Sequence, residues 1–524
     1  MTATLSAPRD LIIRGAAILD GTGRPAYQAD VSIQDGVIAD VGRLPEDLTA
    51  TEVVDARGLA LAPGFIDLHA HADIALLADP QHGAKVRQGV TTEVFSNCGI
   101  GFAPADHATQ ATLRPVFGGL FSRDEGVRWD WTTTAEYLDR LDSAEMAVNA
   151  VYLIPHAALR VAAMGMAARP ATDAEIGAMR ALLRRGLDEG ARGLSTGPGY
   201  APMCHADVRE MAALAHEAGF CAIHQRDYMG RLLESTRESV AIARASEARV
   251  QVSHLQTSGP SAEGKSAEAI EILASARSAG LDIACDMYPY TAGSTVLTAI
   301  LPSWITADGP ATALDRLADP KLRERIINEL HALDRFWPSM VLLSVQSPMN
   351  APFTGMTFPD IARRRGMSIG ELVCTLLVEE ELQVCYLVHH MLQDDLDTIL
   401  SWEHTLIGSD GLHLRNAAHP RLSGTFPRWL GRCVRERRLT TLHDAIRRIT
   451  SASAQRLGLR DRGLIAQGYA ADLVLFDPET IADAATYEDP LAAPIGIHSV
   501  WVNGAATIRD GTATGLRAGK VIRG

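Results

Sequence analysis

Between Pro63 and Asp410 the chain repeats one alternation, a short apolar run followed by a stretch with helical periodicity. Eight such runs end near His71, Cys98, His156, Thr196, His224, His254, Tyr288 and Asp410. One unit shows the pattern clearly. Thr172 and Glu175 have the spacing of a capping box, and Ile176, Met179, Leu182, Leu183 and Leu187 then share one helical face. Gly190 ends that helix, and Gly193-Leu194-Ser195-Thr196 opens the next strand. A second helical pattern passes through Ile270, Ile272 and Leu273 to Gly280 before the strand at 281–286. Eight β/α units in succession predict an α/β protein built on a (β/α)8 barrel. The gap between the seventh and eighth runs is long and holds a further apolar run, Met340-Val341-Leu342-Leu343. It is expected to be an insertion near the barrel mouth, at about 300–400.

The two ends of the chain have a different rhythm. Leu11-Ile12-Ile13, Val31-Ser32-Ile33 and the run 37–41 are separated by Gly21-Thr22-Gly23 and Asp35-Gly36. Residues 471–477 and Val500-Trp501-Val502-Asn503 behave alike. Period-two alternation between turn residues reads as short antiparallel strands. The expectation is a small β domain formed from both chain termini, residues 1–62 and 456–524, around a catalytic barrel at 63–455.

The 524 residues suffice for such a core, and the formal charge of −14 argues against nucleic acid or an anionic membrane as partner. No apolar run approaches the roughly 20 residues of a membrane helix. The start lacks a basic segment followed by an apolar one, so no signal peptide is expected. The seven cysteines are scattered and form no CxxC pair, which suits reduced thiols in the cytoplasm.

In a barrel of this kind, chemistry gathers at the C-terminal ends of the strands. The run from Pro63 closes on His69-Ala70-His71, and residues i and i+2 of a strand face the same way. His224 closes the run from Phe220, His254 the run from Val250, and Asp410 the run from Leu406. Buried polar groups need partners, and imidazoles with a carboxylate at one barrel end would converge on a metal. The donor set suits zinc, with manganese, cobalt and iron as alternatives. A site of this type lowers the pKa of a water towards neutrality, and Asp410 can move its proton. Cys98 lies at the same end. The four lysines, Lys85, Lys265, Lys321 and Lys520, end no central strand, so a carboxylated lysine is not expected between two metals. The Cys98 thiolate is the bridging candidate.

The motifs PGFIDLHAHAD from Pro63, GVTTEVFSNCGIGFAP from Gly89, GLSTGPGY from Gly193, HQRDY from His224 and SHLQTSG from Ser253 resemble those of the amidohydrolase superfamily. Within it the likeness is to the D-aminoacylase (N-acyl-D-amino-acid deacylase) family. DMYPYTAGST from Asp286, GSDG from Gly408, HPR from His419, GTFPR from Gly424 and the terminal RGLIAQGYAADLVLFDP and VWVNG extend it over nearly the whole chain. The resemblance implies a zinc enzyme that hydrolyses the amide of an N-acyl-D-amino acid. It implies a tighter site of Cys98, His224 and His254, a weaker one of His69, His71 and Asp410 sharing Cys98, and Asp410 as general base and acid.

One position departs from the family. Relatives commonly carry lysine two residues after the histidine of the sixth-strand motif, where this chain has Gln256. Glutamine hydrogen-bonds without bringing charge. Arg226, Tyr288 and Ser294 remain candidates for holding a substrate carboxylate beside Gln256, with a structural ion pair to Asp227 or a neighbouring loop as the other reading of Arg226. His156 reads as a core histidine. The rival functions are hydrolysis of another amide (cyclic, dipeptide-like or without a free carboxylate) and a scaffold that lost its chemistry. The scaffold predicts broken ligands, and all six are present. The oligomeric state is left open.

Overall fold

The computed structural model describes residues 8–121, 124, 126–333, 336–414 and 418–524. The apolar runs of the central region form parallel strands. Phe65–Asp67 pairs with Val90–Phe95, and that strand pairs with Asn149–Tyr152. Ile154–Pro155 pairs with Leu194–Thr196, and the series continues through Phe220–Ile223, Arg249–Val252, Ile283–Met287 and Thr405–Ile407. Two short extensions, Ala70–His71 and Gly411–Leu412, pair with each other, so the first and eighth runs are neighbours. Strands such as Val90–Phe95 and Phe220–Ile223 are buried at every position, which explains their continuous rather than alternating hydrophobicity. Helices including Asp173–Asp188, Val208–Ala218, Leu232–Ser246 and Ser266–Ser278 connect them. The helix Asp173–Asp188 carries the Thr172–Glu175 capping box and buries Ile176, Met179 and Leu183. The fold is therefore α/β, with parallel strands joined by helices.

Strands from both termini share a separate nine-stranded sheet. Ala60–Pro63 lies antiparallel to Leu473–Phe476, with Leu61 opposite Leu475. Arg9–Ile18, Tyr27–Gln34 and Val37–Gly42 extend the sheet on one side, and Ile497–Val502 and Ala505–Arg509 on the other. Its own apolar cluster includes Ile13, Val31, Ile33, Leu473, Leu475 and Trp501.

The long stretch between the seventh and eighth runs folds as a further unit. Ala292–Val296 and Met340–Ser344 flank Cys385–His389 in an antiparallel sheet. Helices Pro310–Ala318, Pro320–Leu330 and Ile369–Glu379 contribute Leu317, Ile326, Leu372 and Leu376 to a cluster of its own.

A buried ion network ties the first, second and eighth runs together. Lys85 Nζ lies 2.5 Å from Asp67 Oδ2 and 3.0 Å from Glu93 Oε1, and donates to Ser409 Oγ at 2.5 Å. Asp67 Oδ1 accepts the backbone N–H groups of Ser409 at 2.8 Å and His69 at 3.3 Å. Removing one partner of such a buried set leaves an uncompensated charge, at a cost of about 3–5 kcal/mol. Lys85→Met should accordingly shift the urea unfolding midpoint well down, and an unchanged midpoint would contradict this bracing role.

Candidate metal centre

The loop after the second strand turns sharply to present Cys98. Ser96 and Cys98 hold left-handed backbone at φ 64° and 58°, and His254 and Asp410 do so at 30° and 49°. For residues with a side chain this conformation costs about 1–3 kcal/mol each and persists only where the surroundings impose it. Here it aims three of the chemistry-bearing side chains at one point. Gly408 allows the eighth run to reach the first, because a Cβ there would collide with His69 Cβ.

His69, His71, Cys98, His224, His254 and Asp410 all converge and are all buried. Cys98 Sγ is 3.4 Å from His69 Nε2 and 3.4 Å from His254 Nε2. His224 Nδ1 and His254 Nε2 are 3.0 Å apart. Asp410 Oδ1 lies 3.2 Å from His71 Nε2 and 3.5 Å from His69 Nε2. Three triads have ligand atoms within 4.8 Å of one another: His69, His71 and Cys98; Cys98, His224 and His254; and His69, His254 and Asp410. Imidazole nitrogen, thiolate and carboxylate oxygen at these spacings form a donor set that fits zinc. Asp286 supports it from behind: its Oδ1 meets His69 Nδ1 at 3.1 Å and accepts the His254 backbone N–H at 2.8 Å. A carboxylate on the second imidazole nitrogen fixes the ring and makes it a better ligand.

The electrostatics match a charged centre. Burial alone would raise the Cys98 thiol, but His69, His254 and His224 outweigh it and hold the thiol well below its ordinary value. Burial opposes protonation of His69, yet Asp286 and Cys98 raise it well above the usual imidazole range. His71 rises to about 9 against its own burial, through Asp410 and Cys98. Asp410 is held well below the carboxylate range, because Arg421 and His71 outweigh the effect of burial.

A cavity of about 240 Å³ opens beside these groups, lined by His224, His254 and Asp410 and by Gln256, Tyr288, Ser294 and Arg421. The inserted unit supplies apolar wall from Ile300, Leu333, Phe336, Met340 and Val388. Gly199 lines the same cavity, and a Cβ there would stand 2.9 Å from His224 Nε2.

The candidate substrate contacts separate into two kinds. Arg226 turns its guanidinium to Glu238 at 2.9 Å, not to Asp227, and donates to the carbonyls of Cys204 and Ala206 at 2.7 and 2.8 Å. It thus braces the segment at 204–206, while still lining the cavity. Tyr288 donates its hydroxyl to Gln256 Oε1 at 2.8 Å, and Ser294 Oγ accepts from Arg421 Nη2 at 3.2 Å. His156 lies away from the cavity, bonded to Thr196 and Glu210. Sequence reasoning missed Arg421. It pairs with Asp410 Oδ2 at 2.9 Å and stacks over the Tyr288 ring at 4.4 Å, while its Nε and Nη1 are buried without a protein partner. The available signal was the HPR motif, whose arginine is the one charged residue in it.

Buried imidazoles, a thiolate and a carboxylate beside a cavity are the apparatus of a metal-dependent hydrolase. The amidohydrolase family pattern matches residues 52–508. D-aminoacylase of Alcaligenes xylosoxydans xylosoxydans is 36% identical over 527 residues, covering 100% of this chain and 99% of the relative. N-acyl-D-aspartate deacylase of the same organism is 37% identical over 98% of this chain and 95% of its own length. The solved N-acyl-D-glutamate deacylase of Bordetella bronchiseptica, complexed with zinc and a phosphonate mimic of the tetrahedral intermediate, superposes with a TM-score of 0.85 at 32% identity, over 99% of this chain and 100% of that one. The chain belongs to the amidohydrolase family, among its D-aminoacylases and N-acyl-D-amino-acid deacylases.

His390 lines the same cavity, with Nδ1 bonded to Ser258 Oγ at 2.8 Å, and burial pushes it down to about 3. The folded state therefore keeps this imidazole neutral while the unfolded chain protonates it below about 6.5. Stability should fall as pH drops from 6.5 towards 3, and His390→Gln should soften that fall by roughly 1–2 kcal/mol at pH 5. Urea unfolding at pH 7 and pH 5 measures this, and parallel losses in the two proteins would contradict it.

Proposed function

We propose that this chain is a zinc-dependent N-acyl-D-amino-acid deacylase, releasing a carboxylate and a free D-amino acid. The observation that carries the substrate reading is Arg421. It is a buried guanidinium with two unpaired nitrogens at the cavity wall, next to the catalytic carboxylate. Buried charge-bearing donors need a partner, and a substrate carboxylate would supply one to Nη1 or Nε. Ser294 and the Tyr288–Gln256 pair complete the polar wall for that carboxylate.

The proposed scaffold is a (β/α)8 barrel at 63–455, with a small β domain from 1–62 and 456–524. The succession of parallel pairings, including that of the extensions of the first and eighth runs, supports it. Cys98, His224 and His254 would hold the tighter zinc, and His69, His71 and Asp410, with Cys98 shared, a second and weaker one. When bound, the metal supplies Lewis acidity and lowers the pKa of a water.

Asp410 is the general base. Arg421 keeps it ionised, so its carboxylate accepts a proton from water as the oxygen attacks the amide carbonyl. The C–N bond then breaks, and Asp410 returns the proton to the leaving nitrogen. The His69–Asp286 bond keeps the neighbouring imidazole oriented throughout. The setting proposed is cytoplasmic, on the odd number of scattered cysteines, and among the described residues no helix is long and apolar enough to cross a membrane.

Gln256 supports a second reading, an amide without a free carboxylate, because it brings no charge where relatives commonly have lysine. A panel of N-acetyl D- and L-amino acids and their carboxamides separates the two. The first reading expects D-substrates to be cleaved, and capping the carboxylate to lower kcat/KM at least about 100-fold. No turnover of any D-substrate would refute it. Asp410→Asn should retain zinc at the tighter site while kcat falls by a factor of about 100 to 10,000. Full activity in that variant would remove Asp410 from its role.

A further inference from the structure

A second cluster of ligating side chains lies outside the centre just described. One nitrogen each of His82 and His413 and one oxygen of Glu93 fall within 4.8 Å of one another, and all three residues are buried. Their elements explain the meeting. His82 precedes the short helix Gly83–Val86, Glu93 belongs to the strand Val90–Phe95, and His413 follows the extension Gly411–Leu412. His82 takes left-handed backbone at φ 48° to turn inwards. Its Nε2 hydrogen-bonds Glu93 Oε2, and its ring stacks on that of His413 with centroids 4.7 Å apart.

The cluster borders the buried ion network of Lys85. Asp67 and Glu93 bring two carboxylates, and Lys85 brings one ammonium, which engages Glu93 through Oε1 at 3.0 Å. Glu93 Oε2 is left to the imidazoles. A cation among the two imidazoles and Oε2 would meet the carboxylate oxygen that Lys85 does not engage. There is also a way in. A cavity of about 410 Å³ is walled by His82 and His413 together with Asp79, Arg87 and Asp489.

We propose that His82, Glu93 and His413 bind a divalent transition-metal ion of the zinc class, separate from the Cys98 centre. Two imidazoles and a carboxylate are a common zinc donor set, and the adjoining cavity leaves room for a solvent ligand. The ion would fasten the segment after Asp410 to the second strand and to the turn before it. Its role is structural, and it does not depend on the substrate assigned to the enzyme.

The test uses the full-length protein, stripped of metal and reloaded with zinc alone. Anomalous diffraction at the zinc edge should show a peak among His82, Glu93 and His413, besides density at Cys98. Equilibrium dialysis should give one zinc fewer per chain for His82→Ala/His413→Ala, with zinc at Cys98 retained. Glu93→Gln, closer in shape, should lose the same equivalent if the double variant does not fold. The absence of a peak at zinc levels that fill the Cys98 centre would overturn the proposal, as would unchanged stoichiometry in a folded variant.

Discussion

A thiol buried among imidazoles is the interaction on which the rest of this centre depends. Cys98 is 2% exposed and stands 3.4 Å from both His69 and His254. In such a place the thiol cannot stay neutral cheaply, because the surrounding imidazoles stabilise the thiolate more than burial penalises it. The same charge raises His69 and His71. The left-handed backbone at Cys98, His254 and Asp410 brings these donors to one point.

Around the thiolate, carboxylates act in layers. Asp286 fixes His69 and the backbone of His254, while Asp67 fixes the backbone of His69 and Ser409 and is itself held by Lys85. Arg421 faces two ways. One nitrogen holds Asp410, and the rest of the guanidinium lies over Tyr288 at the cavity wall. In the proposed mechanism one arginine both keeps Asp410 ionised and selects the charge of the substrate, a coupling that a glutamine at position 256 makes more important.

The parallel strands were legible because buried strands are short, continuously apolar and closed by a polar side chain, as in Phe220–Ile223 before His224. The terminal sheet was legible from short apolar runs between turn residues, such as Leu11-Ile12-Ile13 and Val31-Ser32-Ile33, whereas Ala50–Asp55 was not singled out. The strands Ala292–Val296 and Cys385–His389 were not. The first is AGSTV, without period and with β-formers only at Thr295 and Val296, and its partner lies far along the chain. Asp286 was hidden inside a motif, and its meaning appears only through its distance to His69. Arg421 follows no strand end, so periodicity cannot single it out. Lysine was weighed only as a strand-end ligand, and Lys85 acts instead as a buried counter-ion.

The most direct test of this account is zinc-edge X-ray absorption on protein carrying one equivalent of zinc. The account predicts a sulfur scatterer at about 2.3 Å with nitrogen or oxygen completing the shell, and loss of that sulfur in Cys98→Ser. A wild-type spectrum fitted by nitrogen and oxygen alone would contradict it.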